Sequence, residues 1–256
     1  MLWHEVLNWR TIAMMLSSIA MAVLAVLPAT HQSLLPLLYY RLLFFAEALF
    51  HEMGHALTSW MLGGFAIPSL LTITGSQNAS GVTLMGDCHW YIQLPVLAGL
   101  AYLAYHRYAE RMAMFWLALA GIALLLLVSF TPYQDALRTY MGHGGSVLAA
   151  GWLLYRAWNG AAMRNGVERW LNALVGWFIL IDNAHFAWSL HRDIAFRANY
   201  EGQVVGSVGH HDFVVLSELL PFTMDTVTLF HIAVGAVTGI VAFFSAAYFV
   251  GDEIYG

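Results

Sequence analysis

The feature that most constrains this chain is the run from Leu37 to Leu62, apolar enough to span a membrane yet carrying Phe50-His51-Glu52-Met53-Gly54-His55-Ala56 inside it. A charged side chain at the centre of a spanning helix costs about 2.5–3.5 kcal/mol on insertion scales. Glu52 and two imidazoles on adjacent turns therefore need a partner that compensates for them. On a helix His51 and His55 lie four residues apart on one face, where both rings can reach one metal ion, and Glu52 points about 100° away. Two histidines and a glutamate at this spacing predict a zinc site with a carboxylate placed to hold a water beside the metal. The competing reading is a hydrogen-bonded His/Glu cluster without metal. Glu47, four residues before His51, and Thr58, three after His55, share the ligand stripe. Either can orient a histidine from behind or simply line a wet cavity.

Composition sets the class. Hydrophobic residues make up 60% of the 256 residues and charged residues only 10%, against about 25% charged in soluble domains. The expectation is an integral, multi-pass protein embedded in a lipid bilayer: an all-α polytopic fold with about seven transmembrane helices, forming one membrane domain over residues 1–256. The spans are predicted at Thr11–Leu27, Leu37–Leu62, Trp90–Tyr105, Met112–Phe130, Ser146–Trp158, Trp170–Leu190 and Phe222–Val250. Met1–Arg10 is a short polar lead with His4 and Glu5. Thr11–Leu27 is read as a first helix rather than a signal peptide, because Pro28-Ala29-Thr30-His31 lacks a small-x-small cleavage site. The connections are His106–Arg111, Thr131–Gly145, Asn159–Arg169 and a longer His191–Pro221, none of which has room for an inserted domain of ordinary size.

A net charge of −5 offers no basic surface, which excludes nucleic acid as a partner. All ten basic residues are arginine, a bias typical of GC-rich bacterial genomes, so a bacterial inner membrane is the expected location. Cys88 is the only cysteine and rules out both an internal disulfide and a cysteine-rich zinc site.

After the motif the pattern changes. Gly63-Gly64 ends the helix, and Phe65–Leu84 holds isoleucine, threonine and valine broken by Gly75-Ser76-Gln77-Asn78-Ala79-Ser80-Gly81. This predicts a small β-hairpin. Unpaired strand edges are not tolerated in lipid, so the hairpin must sit at the interface or against the helices. It is either a plain connection or an edge on which an extended substrate segment pairs.

Two histidines need a third protein ligand to leave one place for water. Asp182, in the middle of the Trp170–Leu190 span, is the first choice, because an aspartate at bilayer depth requires a metal, a proton or a cationic partner. Asp212, in Gly209-His210-His211-Asp212-Phe213, is the second, with helix N-capping as its ordinary alternative. His185, one turn beyond Asp182, is the third, as a substitute ligand or a partner behind one.

The combination of His51-Glu52-Met53-Gly54-His55-Ala56, Gly63-Gly64 and Ser80-Gly81-Val82-Thr83 resembles the small membrane metallopeptidases related to site-2 proteases. The segments around Asp182 and around Asp212-x-x-x-Leu216-Ser217-Glu218 with Pro221 are similar to the aspartate-bearing C-terminal part of that family. The likeness covers Phe50–Thr83 and roughly Ile179–Pro221. In the family the third ligand stands in an Asn-Pro-Asp-Gly-like or Leu-Asp-Gly context, whereas here Asp182 is followed by Asn183. The resemblance implies a zinc endopeptidase, one ion per chain, that cuts membrane-embedded or membrane-proximal protein or peptide substrates with Glu52 as general base. The alternatives are a non-catalytic metal-binding membrane protein acting as sensor, scaffold or transporter, and a haem-binding bundle using some of the remaining histidines.

Overall fold

The computed structural model describes residues 8–27, 34–71, 80–107, 112–160, 163, 165–202 and 211–255. The residues predicted as the polar lead before Asn8, the whole Pro28–His31 stretch, the hairpin tip 72–79 and His210 lie outside them. In chain order the elements are α1 Trp9–Val26, α2 Leu34–Met61, β1 Gly64–Leu71, β2 Ser80–Cys88, α3 Trp90–Arg107, α4 Met112–Ser129, α5 Tyr133–Asn159, α6 Gly166–Arg192, α7 Ile194–Gly202, α8 Asp212–Leu219 and α9 Met224–Tyr255. The fold is mostly helical, with nine helices and one two-stranded antiparallel hairpin among the described residues. Among the described residues, four helices are long and apolar enough to cross a membrane: α1, α2, α6 and the Met224–Ala247 part of α9. They suit a multi-pass membrane protein. Their outward faces fit that setting, since Leu16, Leu42, Val237 and Phe244 are all more than half exposed.

α5 is the central post. It packs against α2, α6 and α9, while α1 lies on α6, and α3 and α4 pair with each other to one side. Val147, Ala150 and Leu154 of α5 and Phe178 and Ile179 of α6 are fully buried at the centre of the bundle. Small residues let the helices approach closely. A Cβ on Gly54 of α2 would collide with the Met141 carbonyl of α5, and one on Gly145 would lie 2.6 Å from the Gly54 Cα. At this crossing the two backbones touch, as small residues permit between membrane helices.

This contact explains a difference from the sequence reading. Thr131–Gly145 is predicted as a loop, with a helix starting only at Ser146, but α5 is helical from Tyr133 and runs 27 residues to Asn159, where Gly160 stops it with φ 71°. The glycines 142, 144 and 145 resemble a loop in sequence, yet two of them lie at helix-to-helix contacts. Arg138, too polar for an apolar span, is satisfied internally. Its guanidinium donates to Ser59 Oγ at 3.1 Å, the Gly86 carbonyl at 2.8 Å and Asp135 Oδ1 at 3.2 Å. Likewise His191–Pro221 is not all connection, because it contains α7 and α8.

The hairpin forms where predicted. Gly63 takes the left-handed φ of 80° that releases the chain from α2. β1 and β2 then pair from Gly64↔Cys88 to Leu71↔Ser80, with a register shift between Gly64 and Ala66. Trp60 Nε1 of α2 donates to the Ala66 carbonyl at 3.0 Å, and with Arg138 it clips the hairpin onto the bundle.

Candidate metal centre

His51 and His55 project from one face of α2, as their four-residue spacing requires. The third member comes from the far end of the chain. Asp212 opens α8, a short helix held by its own apolar face. Phe213, Val214 and Leu216 are buried against Ala187 and Leu190 of α6 and Met224 and Val227 of α9. With Phe213 fully buried beside it, the Asp212 side chain is fixed towards α2. His51 Nε2 and His55 Nε2 are each 3.1 Å from Asp212 Oδ2 and 3.2 Å from one another. A small tetrahedral ion with bonds of about 2.0–2.1 Å separates its ligands by about 3.3 Å, so the triangle has the right size.

Proton bookkeeping makes the case stronger. His55 Nδ1 lies 2.8 Å from the Arg138 carbonyl, which can only accept, so Nδ1 carries the hydrogen and the neutral ring turns a lone pair at Nε2 towards the other two atoms. A backbone carbonyl behind a histidine is a usual way to fix the tautomer of a metal ligand. Burial alone would raise the Asp212 carboxyl, but without a metal ion a proton on the facing imidazoles pairs with it at 3.1 Å and holds it well below the usual carboxylate range, and a metal ion would take the place of that proton. Asp212 is thus in the ionised form a cation needs. Three electron-pair donors whose atoms all lie within 4.8 Å of one another can hold a metal ion.

Glu52 sits beside the triangle, buried to 4% exposure. Thr83 Oγ1 of β2 lies 2.5 Å from Glu52 Oε2 and 3.1 Å from the Glu52 carbonyl. Gly81 packs so closely on this side chain that any Cβ there would strike it. The hairpin therefore forms one wall of the site, and its Ser80-Gly81-Val82-Thr83 sequence supplies both the space and the hydroxyl.

The other sequence candidates fall elsewhere. Asp182, the first choice for third ligand, is not in the triangle. α6 meets α2 at the level of Glu47, one turn before His51, where Asn183 donates to Glu47 and the Asp182 carboxyl stands nearby. Glu47 contacts neither metal-facing histidine through its side chain but accepts from Asn183. His185 is exposed and lines an apolar cavity of about 830 Å³ between α5, α6 and α9, whose inner end is formed by Asn183 and His231. Asp212 does not serve as an N-cap, since His211 occupies that position and Asp212 is the first helical residue.

Three residues of the surroundings are not assigned to the centre by the sequence, which marks His143 and His231 only as histidines near or within membrane helices. Arg138 supports His55 through its carbonyl. His143 and His231 lie next to the centre, with the His143 ring 4.5 Å from that of His51 and 5.4 Å from that of His231. The signal for α5 lies in Thr139, Gly142, Ser146, Ala150, Leu154 and Ala157, a stripe at helical spacing that runs unbroken from the apparent loop into the span.

Gly142 bears directly on the candidate metal site. A Cβ there would run into His55 Nε2 and lie 2.6 Å from His51 Nε2. Gly142→Ala is expected to weaken metal binding by about 10–100-fold, the range seen when support around ligands is disturbed. Competition with a chromophoric chelator measures it, and wild-type affinity in the variant would contradict the geometry.

Comparison of the chain with protein families, with curated proteins and with solved structures finds no match.

Proposed function

We propose that this chain is a zinc-dependent intramembrane peptidase, similar in kind to the site-2 proteases, that hydrolyses membrane-embedded or membrane-proximal peptide segments. About seven helices would cross the membrane, in keeping with a bacterial inner-membrane protein. The observation that carries the reading is the convergence of His51 Nε2, His55 Nε2 and Asp212 Oδ2 within 3.1–3.2 Å of one another, next to a buried glutamate. Two imidazoles and one carboxylate, with no thiolate, are the donor set of open catalytic zinc sites rather than closed structural ones.

Zinc held there supplies a Lewis acid that polarises the scissile carbonyl and makes water more acidic. The chain's own residues do the rest. Glu52 takes the proton from the attacking water and passes it to the leaving amine. Thr83 donates to the Glu52 carboxylate and fixes its direction while it waits. The Arg138 carbonyl keeps His55 in the tautomer that faces the metal. A helical substrate segment must become extended before its backbone can be attacked, and the β1–β2 hairpin stands beside Glu52 where an extended strand can pair with it.

A metal-binding role without catalysis is the second reading, favoured by one observation. His143 and His231 extend the histidine lining beyond the three donors. One experiment separates the two. The full chain is placed in lipid bilayers with a pool of single-span peptides, and products are identified by mass spectrometry. The expected result is cleavage that a chelator stops and added zinc restores. Bound zinc with no cleavage of any peptide would contradict the peptidase reading and leave the second.

A further inference from the structure

The two histidines of the centre are held by different means. His55 is fixed from behind by the Arg138 carbonyl at its Nδ1. His51 turns Nε2 to Asp212 and His55, and among the described residues its Nδ1 makes no hydrogen bond. Its ring is held instead by two edge-to-face contacts. One is with His55, at 4.8 Å between ring centres, and the other is with His143 of α5, at 4.5 Å with the planes 85° apart.

His143 also touches the element that carries the third donor. Its ring lies 4.5 Å from that of Phe213, the fully buried neighbour of Asp212 in α8, and stacks at 5.6 Å on Phe186 of α6. One ring thus stands between a metal-facing histidine and the residue that seats the metal-facing aspartate. A tilt of that ring would disturb both.

What sets the ring is a buried amide. Asn183 of α6 is only 3% exposed. Its Nδ2 lies 3.0 Å from the Ile179 carbonyl, which can only accept, so that end of the side chain is the NH2 group, and its other hydrogen goes to Glu47 Oε1 at 2.5 Å. Oδ1 must then accept, from His143 Nδ1 at 3.2 Å and from His231 Nε2 at 3.0 Å. All four hydrogen-bonding positions of the amide are used. It cannot turn over without leaving buried polar atoms unpaired, and His143 carries its hydrogen on Nδ1.

We propose that His143 is a positioning residue of the metal centre: held at Nδ1 by Asn183, its ring fixes the direction of His51 and, through Phe213, that of Asp212. The inference rests on reading His51, His55 and Asp212 as a metal site, and it holds whatever reaction that site performs. It gives His51 the support that Arg138 gives His55, by a ring contact in place of a hydrogen bond. Asn183 then acts on the ion from two groups away.

Cobalt(II) binding to the full chain in lipid bilayers tests it, because the visible absorption of bound cobalt reports affinity and the geometry of its ligands together. His143→Phe keeps an aromatic ring against His51 and Phe213 but cannot bond to Asn183, and Asn183→Ala removes the same bond from the other side. Each is expected to bind cobalt about 10–100-fold more weakly than the wild type, with altered absorption bands. The double variant is expected to be no weaker than the weaker single one, because both substitutions break one link. Circular dichroism of the same samples reports the fold, and the two single variants lie on different helices, so a fold lost in one leaves the other to decide. Wild-type affinity in a folded variant would overturn the proposal, as would additive losses in the double variant, or weaker binding with unchanged bands, the mark of a ring that only fills space. A wild type that binds no cobalt would overturn the metal centre itself, whereas one cobalt per wild-type chain with an unaffected His143→Phe overturns this inference alone.

Discussion

Glu52→Gln is expected to stop peptide hydrolysis while the protein keeps its full complement of metal. The substitution preserves size, and the amide oxygen of glutamine can still accept from the Thr83 hydroxyl that holds Glu52 Oε2 in the native chain. His51, His55 and Asp212 are untouched, so the ion stays. What is lost is a group able to take a proton from water, and general acid–base catalysis of this kind contributes about 10²–10⁴ in rate. Single-turnover cleavage by zinc-loaded protein measures the effect, with metal content determined on the same sample. Undiminished cleavage would remove Glu52 from the mechanism. Loss of cleavage together with loss of metal would show that the side chain supports the site rather than acting in it.

Much of the architecture is legible in the sequence because its signals are local. The His51–Glu52–His55 spacing fixes two ligand positions on α2 without any tertiary information. Gly63-Gly64 and the β-branched segments that follow mark the hairpin, and the structure pairs them from Gly64 to Cys88. The apolar stretches mark the helices. What is not legible depends on contacts between distant parts of the chain. The first half of α5 reads as a loop since Arg138 and the glycines 142, 144 and 145 violate the pattern of a lipid-facing span. Only the partners on α2 and the hairpin, Ser59, Gly54 and Gly86, show why they belong in a helix.

The third donor is the clearest case. Asp182 ranks first in sequence because a carboxylate inside an apolar helix is costly and calls for a partner. The argument about cost is sound, but in the structure Asp182 stands near Glu47 and the third member of the triangle is Asp212. Asp212 ranks lower because a loop aspartate before a helix has an ordinary capping role. Its position is set by the burial of Phe213 and Leu216 against α6 and α9, a tertiary event that leaves no periodic trace in an eight-residue helix.

That contrast defines the decisive measurement, which is the metal content and affinity of the wild type beside Asp212→Ala and Asp182→Ala. Removing Asp212 takes away one of three donors that lie 3.1–3.2 Å apart and leaves two imidazoles to hold the ion. The loss should exceed the about 10–100-fold caused by disturbing a supporting residue. Removing Asp182 takes away a carboxyl near Glu47, one turn away, and leaves the three donors in place. The expected result is one zinc per chain in the wild type and in Asp182→Ala, and none retained through purification in Asp212→Ala. Zinc kept at wild-type affinity by Asp212→Ala, or lost by Asp182→Ala alone, would contradict the centre described here.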